Sequence, residues 1–171
     1  LVVGGSPRKE EAGRLTADSS KLTLAVLHPR ALSVYRLVGS GGGSDDGPSY
    51  HALECIFSHA LERPSYNLLV GTASGSGDFA CVQSMDGLLT LLEKERAQPP
   101  CQLSKFLLPG PLTYCANTDA LLTFNSQLEV DCYRRAHFAP SPASTHPRLQ
   151  VDWSVPVGEH VTALLVARLS R

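Results

Sequence analysis

What the sequence lacks narrows the possibilities first. Positive charge is not in excess: 15 Lys plus Arg stand against 16 Asp plus Glu, a formal charge of -1. No basic field therefore exists to hold a phosphate backbone or an anionic membrane surface. No apolar run approaches the roughly 18 residues that a membrane-spanning helix needs. The cysteines lack a pairing pattern. Cys55, Cys81, Cys101, Cys115 and Cys132 make an odd count with no C-x-x-C spacing, which argues against both a disulfide framework and a zinc knuckle. Four of them sit in apolar runs where a thiol serves as a small hydrophobe, so they read as reduced residues of an intracellular protein. Charged residues at 18% and aromatics at 6% are also low, and 14 Gly and 12 Pro interrupt the chain too often for long helices. The opening Leu1-Val2-Val3-Gly4 carries neither an initiator Met nor a signal-peptide pattern, so localisation is not read from the N-terminus.

The apolar content of 43% in 171 residues is enough for one domain with a sizeable core, and no composition shift marks an internal boundary. The informative feature is a pattern that returns. An apolar run from Leu22 to His28 turns at Pro29-Arg30 into Leu32 to Val38. A second, Phe79 to Ser84, turns at Asp86-Gly87 into Leu88 to Glu93. A third, Ala120 to Phe124, turns at Asn125 to Gln127 into Leu128 to Tyr133. Each hairpin leads to a further expected strand: Tyr50 to His59, Gln102 to Leu108 and Arg148 to Val155. After each of these comes a short apolar run, Asn67 to Gly71, Leu112 to Cys115 and Val161 to Val166.

Inner strands such as Leu88 to Leu92 are apolar on both faces, as happens when antiparallel sheets stack around an axis. Repeats of about 40 to 50 residues suit propeller blades. The expected fold is therefore all-β: an arc of about three four-stranded antiparallel blades from a ring that closes with about four to eight. Such an arc would leave the end faces at Leu24 to Leu27 and Leu121 to Phe124 bare. Gly4 to Ser20, Gly39 to Gly47, Thr72 to Gly77 and Ala136 to Pro147 have the composition of surface connections.

The usual catalytic patterns do not assemble. Neither Gly-rich loop has the Gly-Lys-Ser/Thr ending of a phosphate cradle. Ser74 and Ser76 lack the paired glycines of a nucleophile elbow. Alternation places Cys55 and His59 on one strand face, but zinc would need two more ligands. Asp45, Asp46, Asp78, Asp86 and Asp119 fall in loops or turns, where turn chemistry accounts for them. A propeller enzyme would need polar or charged clusters on the innermost strands, and Leu1 to Val3, Asn67 to Val70, Thr113 to Cys115 and Val161 to Leu165 carry none. The expectation is no enzyme, no metal and no cofactor.

Leu24 to His28 with Leu32 to Tyr35, Cys81-Val-Gln-Ser-Met-Asp-Gly87, Phe106-Leu-Leu-Pro-Gly-Pro-Leu112 with Tyr114, and Val151-Asp-Trp153 with Gly158-Glu159 occur in one order along Leu22 to Glu159. Together they resemble the N-terminal β-propeller of the Bardet–Biedl syndrome protein nine family, the parathyroid hormone-responsive subunits of the BBSome. The resemblance implies a seven-bladed propeller at the start of a longer subunit. It also implies a scaffold role in a coat-like adaptor that moves membrane proteins into and out of cilia. The implied partners are the other subunits and, indirectly, an Arf-like small GTPase, membrane-protein cargo and membrane, without nucleic acid. The implied location is the cytoplasm, the cilium and the ciliary base, including centrosome and centriolar satellites, peripheral to membrane. The Gly39 to Gly47 and Ala136 to Pro147 loops depart from the family pattern.

Within these motifs the structural candidates are Asp86 and Gly87 as a tight turn, and Pro109, Gly110 and Pro111 as the break that sends the chain to the next blade. Trp153 is expected as a core residue between blades, with Gly158 in the connection that follows it.

Overall fold

Pro29-Arg30, Asp86-Gly87 and Asn125 to Gln127 have turn-forming composition, and each reverses the chain between two antiparallel strands. The computed structural model describes residues 2–4, 23–40, 50–73, 77–93, 96–108, 110–138 and 147–167. Strands β1 (Val2–Gly4), β2 (Thr23–His28), β3 (Ala31–Ser40) and β4 (Tyr50–Ala60) form the first sheet in that order. The second runs β5 (Ser65–Ala73), β6 (Gly77–Ser84), β7 (Leu88–Glu93) and β8 (Arg96–Ala97), with β9 (Cys101–Gln102) also paired to β7. The third runs β10 (Leu112–Cys115), β11 (Ala120–Phe124), β12 (Glu129–Arg134) and β13 (Trp153–Pro156). Every ladder between these strands is antiparallel. The innermost strand β5 touches both β1 and β10, so the sheets fan out from a shared inner edge as propeller blades do. The fold is the expected all-β arc of three antiparallel blades, and the described residues do not close a ring.

The middle blade explains its own composition. Val82 and Leu92 on one face pack with Ala25 and Leu32 of the first blade. Phe79, Cys81, Leu89 and Leu91 on the other face pack with Leu121 and Tyr133 of the third. A strand buried on both faces loses the apolar-polar alternation, and each fully buried leucine contributes about 2 kcal/mol.

Three strand assignments and one expectation of exposure need correction. The outer strand expected at Gln102 to Leu108 is only β8 and β9, interrupted by Pro99-Pro100, which cannot extend a ladder. Beyond it Leu103 to Leu108 form the loop to the next blade. Arg148 does not begin the outer strand of the third blade. It bridges in parallel to Gln102, with Leu149 N–H donating to the Gln102 carbonyl at 3.0 Å, so this segment covers the outer edge of the second blade. Val161 to Val166 is not a strand, because no ladder partner meets it among the described residues. Leu121 and Phe124 are buried rather than bare, and the exposed apolar residues at that end are Trp153, Val155 and Val157. The loop residues 5–20, 41–47, 74–76 and 139–146 lie outside the described residues.

Gly87 carries a positive φ of 79°, and the Phe106 ring occupies the space where a side chain would project. Leu128 holds the matching turn position in the third blade at φ 63°. Gly87→Val is expected to cost about 2–4 kcal/mol, strain plus displacement of Phe106. Leu128→Gly should stay within about 1 kcal/mol of the parent, since relief of strain is offset by a more flexible unfolded chain. Chemical denaturation of the two variants checks this; equal costs would show that Gly87 is not specially constrained.

Candidate interaction surface

The hairpin turns and the connections between blades meet at one end of the arc and bond in a repeating way. After each outer strand, the chain donates a backbone N–H to the turn of the same blade. Leu61 donates to the Arg30 carbonyl at 2.9 Å, Leu103 to Gly87 at 3.1 Å and Val157 to Leu128 at 2.9 Å. The returning chain is then tied to the next inner strand: Ser65 N–H donates to Pro29 at 2.8 Å and Met85 N–H to Pro64 at 2.9 Å, while Phe124 N–H donates to Pro111 at 3.2 Å.

Side chains extend this end between blades. Tyr66 Oη donates to the Leu107 carbonyl at 3.2 Å and Asn67 Nδ2 to the Gly110 carbonyl at 2.9 Å. Arg63 pairs with Asp86 at 3.3 Å, and Lys105 Nζ donates to Glu129 Oε2 at 2.8 Å. Below the third turn, buried Asp131 accepts bonds from Asn125 Nδ2 at 2.8 Å, Ser154 Oγ at 2.7 Å and Tyr133 Oη at 3.3 Å, so its buried oxygens are satisfied.

Most of the expected motif residues gather here. Asp86 accepts the Ser84 hydroxyl, and Gly87 gives its carbonyl to Leu103. Gly110 is buried against the Leu107 and Phe124 carbonyls, where a side chain would not fit. Pro111 supplies the carbonyl for Phe124, and Gly158, at φ 81°, donates to Leu128 at 3.3 Å. Pro109 lies outside the described residues. Trp153 lies elsewhere: it is 44% exposed on β13, in the row Leu122, Cys132, Trp153 on the face turned away from the middle blade, and is not buried among the described residues.

At the opposite end, a junction that no local sequence pattern announces joins the second and third blades. Arg135, in the short 3-10 turn Arg135–Phe138, donates from Nη1 to Glu93 of β7 at 2.7 Å and from Nε to Asp119 at 2.8 Å. Tyr114 Oη donates to the same Asp119 oxygen at 2.7 Å, and the Tyr114 ring meets Phe79 edge-on at 4.9 Å. The arginine carbon lies 5.9 Å from the centre of the Phe79 ring. Gly71 is required by this crossing, because a Cβ there would sit 2.8 Å from both rings. Burial raises the Asp119 carboxyl, but the Arg135 and Tyr114 hydrogen bonds outweigh it and hold the group below its ordinary range. Burial first, and the bond to Asp119 second, push Tyr114 up to about 12.

The chemistry of the remaining candidates is sparse. Among the described residues no group of three or more His, Cys, Asp or Glu is placed to hold a metal, and no helix is long and apolar enough to cross a membrane. Cys55 and His59 do not share a face. A bulge at Ile56 shifts the register, pairing Cys55 with Tyr35 and Phe57 with the adjacent Val34, so alternation fails between them. Burial pushes the Cys81, Cys101 and Cys132 thiols up, whereas the Thr118 hydrogen bond lowers Cys115.

A family described as PTHB1 N-terminal matches residues 10–171. The chain belongs to this family. Among curated relatives, Protein PTHB1 of Mus musculus and of Homo sapiens are each 31% identical over 175 residues, covering 94% of this chain and 20% of the relative. The Protein pthb1 homolog of Caenorhabditis elegans is 25% identical over 148 residues, 86% of this chain and 19% of the relative. This chain thus spans about a fifth of the length of the curated relatives it matches. The family match corrects the designation drawn from the motifs. PTHB1 N-terminal replaces Bardet–Biedl syndrome protein nine as the name of the family, and the match runs beyond Leu22 to Glu159 at both ends.

In this PTHB1 N-terminal chain the residues that motif reading missed are Arg135, Glu93 and Asp119. The one available signal was Asp119 in a turn. Arg135→Met is expected to destabilise the chain by about 1–3 kcal/mol at neutral pH, since it leaves two partly buried carboxylates without their cation. Asp119 has a depressed folded pKa, so its contribution is present above the ordinary carboxyl pKa and is lost as pH falls through the folded value. Denaturation curves for parent and variant should therefore converge in acid; an Arg135→Met cost that is the same at neutral pH and at about pH 3 would contradict the junction.

Proposed function

We propose that this chain is part of a non-enzymatic scaffold propeller in the BBSome, a coat-like adaptor that carries membrane proteins to and from cilia. The observation that carries the reading is the PTHB1 N-terminal match over residues 10–171. An arc whose turns and connections are tied into one end presents a stiff surface, which suits holding other subunits in place rather than transforming a substrate. The partners in this reading are the other BBSome subunits, with an Arf-like small GTPase, ciliary cargo and membrane reached through the complex. The location is cytoplasm, cilium and ciliary base, peripheral to membrane.

The test is affinity purification of the full-length protein from ciliated cells followed by mass spectrometry. Recovery of the other BBSome subunits in stoichiometric amounts is expected. Recovery of a stable set of partners without them would overturn the reading in favour of a protein-interaction propeller outside the ciliary pathway.

A further inference from the structure

The two junctions between blades are built on the same plan but filled differently. Ser84 and Asn125 open equivalent turns, so Ala80 and Leu92 of the second blade match Leu121 and Tyr133 of the third, each a cross-strand pair. Leu121 and Tyr133 are both fully buried and close their junction. The smaller pair leaves a cleft of about 320 Å³ between the first and second blades, walled by Ala25, Val34, Phe57, Val70, Ala80 and Leu92. Apolar volume is missing where the sister junction supplies its own.

The cleft opens beside β4, the longest edge strand of the arc. Its outward edge has no ladder partner among the described residues, whereas β9 is covered by Pro147 to Leu149. Residues 52–56 of β4 are all exposed. The Ile56 bulge has a second consequence here. It places Ile56 and Phe57 together opposite Val34, and both line the cleft. The next row on the same face is Arg36 with Glu54, and Glu54 lies on the edge.

We infer that β4 takes an extended peptide of a partner as an added strand. Main-chain bonds would run along the edge, with a large apolar side chain entering the cleft beside Phe57. A basic residue two positions along would face Glu54 across the new pair. Strand addition gains affinity from main-chain bonds and specificity from pockets for alternate side chains. The charge and the vacancy together define the occupant: apolar, any residue, basic, in extended conformation. The site stands on β4 and the cleft alone, so its test is independent of whether the protein enters the BBSome.

The probe is the peptide fluoresceinyl-Gly-Gly-Thr-Val-Thr-Phe-Thr-Lys-Thr-amide, titrated with the full-length protein by fluorescence anisotropy. Saturable binding is expected in the micromolar range, about 1–500 µM. Ala80→Leu, which copies Leu121, should weaken it about tenfold or more by filling the cleft, and Glu54→Lys about threefold to tenfold. A control peptide with Pro for the Thr between Phe and Lys should not bind, because it removes a ladder donor. No saturable binding to about 1 mM, or binding unchanged by both substitutions, overturns the site. Circular dichroism of each variant shows that it is folded, and Glu54→Lys, an exposed change, keeps the test decisive if Ala80→Leu does not fold.

Discussion

In each blade one backbone amide, placed just after the outer strand, donates to the carbonyl of that blade's hairpin turn. This bond does more than satisfy a polar group. It fixes where the chain leaves the outer strand, and hence where the next inner strand must begin. Leu61, Leu103 and Val157 follow three different outer strands, yet their amides do the same work at Arg30, Gly87 and Leu128. Stacking of apolar faces supplies most of the free energy; these bonds supply the direction of stacking. The positive φ values of Gly87 and Leu128 follow from the same requirement, since the turn must hold its carbonyl toward the connection.

The blades are not joined equally. The second and third are held at one end by Asn67, Tyr66 and Lys105 and at the other by the Arg135 junction with its crossed rings. The first and second share the Arg63 to Asp86 pair and the amide of Met85 at the turn end, with a small apolar cluster behind them. The pair of Leu121 and Tyr133 is bulkier than the equivalent pair of Ala80 and Leu92, which accounts for the difference in packing. A surface built from one repeated unit thus acquires an apolar recess at this junction, next to an edge strand whose outward edge has no ladder partner among the described residues.

Much of this was legible in the sequence because its causes are local. Pro29-Arg30 and Asp86-Gly87 mark hairpins by turn chemistry, and Leu112 to Cys115 is bounded by Pro111 on one side and polar residues on the other, so its limits came out as observed. What stayed hidden depends on contacts distant in sequence. Glu93, Asp119 and Arg135 meet only after two blades have stacked. The Ile56 bulge, which separates Cys55 from His59, shows itself only in the register between β3 and β4. Leu103 to Leu108 reads as a strand by apolar content, but Phe106 is drawn away to cover Gly87. Val161 to Val166 has the composition of a strand without a ladder to join, and Trp153 has the bulk of a core residue on a face the described residues leave open. For the interaction surface, the glycines, the prolines and Asp86 were visible, and the Arg63 partner and the Lys105 to Glu129 pair were not.

The most direct test of the account is amide hydrogen exchange resolved to single residues on the full-length protein. If the turn-to-connection bonds organise each blade, the amides of Leu61, Leu103 and Val157 exchange as slowly as the ladder-bonded amides of the inner strands β3, β7 and β12, although all three lie in loops. Exchange of these amides at the rate of unprotected loop residues, with the strands still protected, would show that the blades are set by face-to-face packing alone and would contradict the account.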